Sequence, residues 1–275
     1  MELVVFDLDG TLLNREQSLS PFTCEILHKL QAAGIAYTIA TGRTRLAAAP
    51  CIQNHHFPQV QIFKNGIEEW DPKTQSYRHR CLLSRPEIED TLSLFENEEV
   101  TPFIFCLEED GSQSVYHPPL KNHLCNTIFG ELGCHEDLVL NPLYKLHKDT
   151  LITNISAMGS PEAATRIVES THDSSPHLIA YSGGGIYQKD AYWIDIHHRR
   201  ACKGTAIELL KKELGLSKII CFGDGDNDLS MFEAADESYA MENANEKVKT
   251  AATKVIGHHD DDGVAHFLIK RFSLA

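Results

Sequence analysis

The most informative segment of the chain is Leu3-Val4-Val5-Phe6-Asp7-Leu8-Asp9-Gly10-Thr11, an apolar run that ends in two carboxylates and a glycine. Side chains on a strand alternate between faces, so Asp7 and Asp9 are predicted to point the same way and Leu8 into the protein. If the strand lies in a parallel sheet, its carboxyl end is where ligands bind. Two like charges this close require a cation, a proton or phosphoryl chemistry.

Strand and helix alternate through the first part of the chain. Apolar runs predict strands at residues 3–6, 35–40 and 60–63, the last broken at Asn65-Gly66. Ser20-Pro21 predicts the start of a helix that ends near Gly34, and residues 44–53 are predicted to form another. Strands joined by helical crossovers indicate a parallel, right-handed, doubly wound sheet.

The middle of the chain follows a different pattern. Asp71-Pro72 predicts a hairpin, Ser84-Arg85-Pro86-Glu87 is a capping box that opens a helix, and Asp110-Gly111 predicts a second hairpin. These signals predict an α+β insert with its own antiparallel sheet over residues 83–186, so that residues 1–82 and 187–275 form the core. The α/β pattern is expected to resume with strands at 192–196, 218–222 and 238–241.

Composition narrows the class of protein. The chain has 275 residues, enough for one large α/β domain with an insertion, and its net charge of −14 argues against a nucleic-acid-binding protein. Its eight cysteines include no C-x-x-C pair, which is typical of free thiols in a reducing compartment. Neither a signal-like start nor an apolar membrane span is present in the sequence, which favours a cytoplasmic protein without a membrane partner.

Four polar groups follow predicted strands or open predicted helices, and all of them could gather at one sheet edge. They are Asp7-Leu8-Asp9-Gly10-Thr11, Ala40-Thr41-Gly42-Arg43, Lys203-Gly204 and Gly223-Asp224-Gly225-Asp226-Asn227-Asp228.

With these motifs in this order, the chain resembles the haloacid dehalogenase-like phosphohydrolases, and among them the Cof-type hydrolases with a large α/β cap. The resemblance spans nearly the whole chain. Supporting strings are Asn65-Gly66, Ser182-Gly183-Gly184, Ala240-Met241-Glu242-Asn243-Ala244 and Asp261-Asp262-Gly263-Val264-Ala265. Glu242 is a departure, because the group usually has glycine there.

The resemblance implies an α/β fold: a doubly wound, Rossmann-like parallel-sheet core with an inserted α+β cap that covers the site. It also implies a Mg²⁺-dependent phosphatase acting on a small phosphorylated metabolite, such as a sugar phosphate. Asp7 would attack phosphorus and become an aspartyl phosphate, while Asp9 would act as the acid and then the base. Repulsion between the nucleophile and its substrate is about 4 kcal/mol per charge pair at an effective dielectric constant of about 20, which a Mg²⁺ ion would offset.

Further roles follow from the same resemblance. The metal set would be Asp7, Asp224 and the Asp9 carbonyl, with Asn227 or Asp228 completing or supporting the shell. Thr41 would hydrogen-bond the transferring phosphoryl group, and Lys203 would hold both the phosphate and Asp7. Gly42, Arg43 and Asn65 are expected to contact the substrate.

Other interpretations stay open. A phosphotransferase or phosphomutase would use the same nucleophile, and a binding protein could keep the fold without catalysis. An EF-hand at Gly223–Asp228 is disfavoured because Ala235 falls where the loop needs glutamate. Adjacent histidines at 55–56, 197–198 and 258–259 lack a matched partner pair at ligand spacing, so surface or loop roles are expected for them.

Overall fold

The computed structural model describes residues 2–108, 112–134, 138–184 and 191–274. The predicted Asp110-Gly111 hairpin turn and the predicted boundary between residues 186 and 187 lie outside these ranges. The N-terminal segment forms β1 (Glu2–Phe6), α1 (Pro21–Ala32), β2 (Ala36–Ile39), α2 (Arg45–Ile52), β3 (Gln61–Phe63), β4 (Glu68–Asp71) and β5 (Ser76–His79).

The remaining elements follow in two further segments. The middle segment forms α3 (Arg85–Asn97), β6 (Phe103–Leu107), β7 (Gln113–His117), α4 (His123–Leu132), β8 (Leu138–Pro142), β9 (Leu151–Gly159), α5 (Pro161–Ser174), β10 (Leu178–Gly184) and β11 (Tyr192–His198). The C-terminal segment forms α6 (Lys203–Glu213), β12 (Lys218–Gly223), α7 (Leu229–Ala234), β13 (Glu237–Ala240), α8 (Glu246–Ala251), β14 (Lys254–Val255) and α9 (Gly263–Phe272).

The main sheet is parallel and has the strand order β14-β13-β12-β1-β2. Alternate residues of β1 supply two different cores, because Val4 and Phe6 pack into one hydrophobic cluster and Leu3 and Val5 into another. Both faces of this parallel sheet are therefore covered, so the side chains of residues 3–6 all lie next to apolar residues. This explains why the sequence of the strand is an unbroken apolar run there. The predicted doubly wound α/β fold is therefore confirmed.

The third predicted strand lies elsewhere than expected. β3 pairs antiparallel with β4, which pairs with β5, and this forms a separate three-stranded sheet. Its link to the main sheet is a parallel bridge between Ala40 and Ile62. The tight turn at Asn65-Gly66 reverses the chain at once, and an antiparallel pairing is what so short a connection allows.

The chain divides into two compact units, residues 1–80 with 201–275 and residues 81–200. The second unit has a six-stranded sheet in the order β10-β11-β9-β6-β7-β8, in which β7 and β8 are parallel. The expectation that residues 192–196 belong to the core sheet is wrong. β11 pairs antiparallel with both β9 and β10, because Ile194 and Ile196 bury their side chains in the core of the second unit.

Local sequence signals place the helices that flank the main sheet. Ser20 caps α1 by accepting a hydrogen bond from the Thr23 N–H at 2.9 Å, with Pro21 at the first helical position. Thr44 caps α2 in the same way through Ala47. Among the described residues, no helix is both long and apolar enough to cross a membrane.

Candidate active site

The Asp7–Thr11 motif begins where β1 ends. Asp7 is buried, and its N–H donates to the Phe222 carbonyl at 3.0 Å, so the ends of β1 and β12 are joined there. Both Asp7 and Asp9 lie beyond the strand, which means that strand alternation does not set their directions as predicted. Asp9 lies in a tight turn, Leu8–Leu12, that is shaped by Gly10 at φ +70°. A side chain at Gly10 would collide with the Asp224 carboxylate.

Lys203 joins two of the predicted acidic residues. Its Nζ donates to Asp7 Oδ1 and to Asp228 Oδ1, both at 2.6 Å, and its side chain is completely buried. The second Asp228 oxygen accepts hydrogen bonds from the N–H groups of Asp224 and Gly225 at 2.9 Å. The ammonium and the 224–228 loop therefore fix each other, since both depend on the same carboxylate.

Three carboxylates converge beside this lysine. Oxygen atoms of Asp7, Asp224 and Asp228 lie within 4.8 Å of one another. Burial, together with the charge of Asp228, raises the pKa of Asp224 to about 6. Burial and the charges of Asp228 and Asp224 raise the pKa of Asp7 well above its usual range, although Lys203 opposes this. The donor set has more negative charge than one lysine balances and consists of carboxylate oxygens, so it fits a Mg²⁺ ion.

The second aspartate of the motif has a different partner. Arg43 donates Nε to Asp9 Oδ2 at 2.7 Å and Nη2 to Asp9 Oδ1 at 2.5 Å, a two-pronged ion pair. The hydrogen bonds that Arg43 donates to the Asp9 carboxylate raise the pKa of Arg43. Half of the Asp9 side chain remains exposed, so solvent reaches its carboxylate. Arg43 was expected to contact the substrate, and the structure shows it holding Asp9.

The remaining predicted residues meet at a second junction. Thr41 is buried, and its hydroxyl accepts the Arg43 N–H at 3.2 Å. Asn227 donates its amide to Asn65 Oδ1 at 2.9 Å, whereas Asp228 belongs to the carboxylate group. A β-carbon at Gly42 would lie 3.3 Å from the same Asn65 oxygen. Thr41, Gly42, Asn65 and Asn227 thus lie together.

Two polar residues that the sequence analysis left without a role also contact the site. Asn243 donates to the Gly10 carbonyl at 2.8 Å and to Asp224 Oδ2 at 3.3 Å, and Thr11 donates its hydroxyl to Asp224 Oδ1 at 3.1 Å. Asn243 lies in the sequence string Ala240–Ala244 and is the residue there with an amide side chain. This amide is the sequence feature that could have indicated its role in the site. Its neighbour Glu242 is exposed.

The histidine pairs have hydrogen-bonding roles in the parts of the chain that the structure describes. The surface or loop role expected for them is wrong for His197, which is buried within strand β11. His259 Nδ1 contacts the Leu13 carbonyl at 2.7 Å, and His258 Nδ1 accepts the Asp260 N–H at 3.2 Å. Side-chain atoms of these three residues, His258, His259 and Asp260, lie within 4.8 Å of one another, but Arg15 already occupies the Asp260 carboxylate.

A family model described as haloacid dehalogenase-like hydrolase matches residues 4–268. The chain belongs to this family. The Bacillus subtilis protein named phosphatase YwpJ is 26% identical to this chain over 292 residues, and the alignment covers 98% of this chain and 99% of the relative. A second protein of that organism, 5-amino-6-(5-phospho-D-ribitylamino)uracil phosphatase YwtE, is 27% identical over 301 residues, covering 98% and 97%. The predicted family and enzyme class, a phosphatase, are confirmed.

Solved structures share the fold of the hydrolase. A haloacid dehalogenase-like hydrolase from B. subtilis superimposes with a TM-score of 0.75 at 24% identity and covers 98% of this chain and 99% of that one. A structure titled as the subclass IIB sugar phosphatase BT4131 gives a TM-score of 0.73 at 22% identity, with complete coverage of both chains. At these identities the similarity supports the architecture.

Proposed function

We propose that the hydrolase removes the phosphoryl group from a small phosphorylated metabolite through an aspartyl-phosphate intermediate on Asp7. One observation carries the proposal: the buried Lys203 ammonium is bonded to Asp7 at 2.6 Å while the carboxylates of Asp224 and Asp228 converge on the same point. A purely structural role would leave three carboxylates at the end of a parallel sheet with only the charge of Lys203 to balance them, and such clusters are costly to bury.

The reaction would proceed in two balanced steps. An Asp7 oxygen forms a bond to phosphorus as the ester oxygen leaves, and Asp9 gives its proton to that leaving oxygen. Asp9 then takes a proton from a water molecule, whose oxygen attacks phosphorus and releases orthophosphate and free Asp7. To carry a proton, an Asp9 oxygen has to leave its pair with Arg43, so Arg43 holds Asp9 at the site between turnovers.

Asp7, Asp224 and Asp228 are the side chains that would hold a Mg²⁺ ion, with the Asp9 carbonyl as a further ligand and Asn227 in support. The ion would supply positive charge against the repulsion between carboxylate and phosphate. Lys203 would contribute a fixed charge next to Asp7, and the hydroxyl of Thr41 would bond the phosphoryl oxygens. Gly42, Arg43 and Asn65 stay predictions as substrate contacts, as does the assignment of residues 83–186 as a cap.

The names of related proteins suggest the substrate class. One relative, which aligns with this chain over nearly its full length, is named for its action on a phosphoribitylamino compound. A structural neighbour is described as a sugar phosphatase. Phosphate esters of polyhydroxylated metabolites are therefore the first substrates to test. A cytoplasmic location and the absence of a nucleic-acid partner remain predictions.

The deciding experiment is a panel of phosphorylated metabolites, including sugar phosphates, incubated with Mg²⁺ and followed by release of orthophosphate. Wild type should turn over at least one ester, whereas Asp7→Asn should keep the fold and lose activity. Rapid acid quench with a ³²P-labelled ester should trap label on wild type and none on Asp7→Asn. Normal turnover by Asp7→Asn would exclude the aspartyl-phosphate route.

The same assay separates the other interpretations. A phosphotransferase or phosphomutase would transfer the phosphoryl group to an added alcohol in preference to water, so acceptor phosphorylation is measured beside orthophosphate. A non-catalytic binding protein would release neither product from any ester.

A further inference from the structure

The turn Lys64–Gly66 has an unusual backbone. Lys64, Asn65 and Gly66 all have positive φ, at 45°, 55° and 104°. Glycine adopts such angles freely and asparagine with some ease, but a lysine is strained there by its β-carbon. Three consecutive residues in this region persist only where the surroundings hold them, and such segments cluster at functional sites.

The turn contacts three segments of the candidate active site. The N–H groups of Lys64 and Asn65 donate to the carbonyls of Arg43 and Thr41, both at 3.0 Å. Asn65 Oδ1 accepts the Asn227 amide at 2.9 Å. Gly66 lies against Cys202, the residue before Lys203, so closely that a β-carbon there would be 2.6 Å from its carbonyl oxygen.

The side chain of Lys64 is held by a buried ion pair. Its Nζ lies 2.8 Å from Glu68 Oε1, and the two side chains are only 8% and 3% exposed. Glu68 is the first residue of β4, which pairs with β5, and so the carboxylate is anchored in the three-stranded sheet. Separating the partners of a buried ion pair is costly, because each charge would then be left uncompensated. The pair therefore constrains the position of the Lys64 side chain.

We propose that the buried Lys64–Glu68 pair is a positioning device that keeps the Lys64–Gly66 turn left-handed and thereby aligns the Thr41 loop with Asn227. The two residues are positioning residues and touch no reacting group. The catalytic part of this inference rests on the proposed phosphatase function, whereas its structural part does not.

Two double variants of the 275-residue chain test the proposal. Lys64→Met/Glu68→Leu removes both charges and leaves a β-carbon at the strained position, so the turn should relax. Lys64→Gly/Glu68→Leu also removes both charges, but its glycine accepts positive φ without a constraint. The readouts are kcat and KM for p-nitrophenyl phosphate with Mg²⁺, and hydrogen exchange of the Lys64–Asn65 segment by mass spectrometry.

In the methionine variant kcat should fall roughly 10- to 100-fold with little change in KM, because small misalignments at a site act on the transition state. The amides of the turn should also exchange faster. In the glycine variant kcat should recover and exchange should slow towards the wild-type rate. If both double variants behave alike, whether both like wild type or both impaired, the proposal is overturned.

A neighbouring residue provides a matched control. Glu69 is also buried in β4, but it pairs with Arg80 instead of Lys64. Glu69→Gln should lower stability without changing kcat or the exchange of the turn, and an equal loss of kcat in this variant would count against the proposal. If Lys64→Met/Glu68→Leu does not fold, Glu68→Gln and Lys64→Gly/Glu68→Gln replace the two double variants with the same expected contrast.

Amide exchange also keeps the two proposals apart. If wild type hydrolyses no phosphate ester, the proposed function fails, and the exchange rates of the turn alone decide whether the ion pair holds it.

Discussion

Lys203 shows how one buried charge can organise a site. Burial lowers the pKa of the ammonium, but the adjacent charges of Asp228 and Asp7 raise it by more, and the net shift is upward. The lysine therefore stays charged over the whole physiological range. Because it is bonded to both carboxylates, it fixes the distance between Asp7 and the 224–228 loop in addition to supplying charge.

Replacing this lysine should affect both stability and catalysis. In Lys203→Met, two buried carboxylates lose their cation, so the free energy of unfolding should fall by about 3–5 kcal/mol in urea titrations. Activity should fall by roughly 10²–10³-fold, the usual loss for one charged or hydrogen-bonding group at a transition state. Lys211→Met is the control, because Lys211 lies on the same helix and pairs with Asp236 near the surface. A Lys203→Met variant with wild-type activity would contradict the assigned role.

Asn243 should prove to be a positioning residue for Asp224. Asn243→Ala removes the hydrogen bonds to Asp224 and to the Gly10 carbonyl, so the Mg²⁺ concentration for half-maximal activity should rise about 10- to 100-fold, as for other partners of metal ligands. Asn245→Ala is a useful comparison. It removes the cap of α8 and should cost about 1 kcal/mol of stability while leaving the Mg²⁺ requirement unchanged. Equal Mg²⁺ requirements in both variants would disprove the role of Asn243.

Sequence reasoning found residues of the site whose place is set by local chain order. Asp7, Asp224 and Lys203 each stand at a strand end or helix start, and parallel strands bring such ends together. It could not find the partner of Arg43, because Asp9 is separated from it by 34 residues and the pairing depends on how two loops turn. Asn243 was missed for the same reason, since its contacts to Gly10 span 233 residues.

At the scale of elements, local pattern predicted which segments are strands but not always which sheet they join. The apolar alternation of Tyr192–His198 fits either sheet, and antiparallel partners at β9 and β10 decide its place. β3 is likewise a strand as predicted, but the immediate turn after it directs its pairing to β4. Which strands pair depends on residues that are distant in the sequence, so the sequence of one strand is a weak predictor of its partners.

A charged network joins several elements of the main sheet and predicts an acid limit to stability. Glu237 of β13 contacts Arg271 of α9, Lys218 of β12 and the Tyr239 hydroxyl. The Arg271 hydrogen bond is the largest cause that lowers the pKa of Glu237 to about 2, from an ordinary value of 4.5. The folded state thus favours the charged form, and this stabilisation is present above pH 4.5 and lost as the pH falls towards 2.

Urea unfolding between pH 7 and pH 2 tests this network. Wild type should lose stability more steeply than Glu237→Gln as the pH drops, because the variant has no carboxylate to protonate at this position. Glu246→Gln is the control, since Glu246 is 90% exposed and should leave the profile unchanged. Parallel profiles for wild type and Glu237→Gln would show that the network does not contribute.

At the scale of the whole molecule, each of the three large hydrophobic clusters draws its residues from one of the two compact units. The core around Ile155 and Ile196 draws its members from residues 83–196, whereas the two clusters on the main sheet draw theirs from the other unit. Each unit therefore has an apolar core of its own, which is the requirement for independent folding.

This division predicts two separately measurable unfolding transitions. Each unit has one tryptophan, Trp70 in the first and Trp193 in the second, so Trp193→Phe and Trp70→Phe variants report on one unit each. Ile155→Ala should lower the stability of the second unit by about 2–5 kcal/mol, the usual cost of a cavity in a packed core. Its urea midpoint should shift in the fluorescence of Trp193 and stay constant in that of Trp70, and a fragment of residues 81–200 should unfold cooperatively with the same loss. Equal shifts of both tryptophans would instead show that the cores unfold as one.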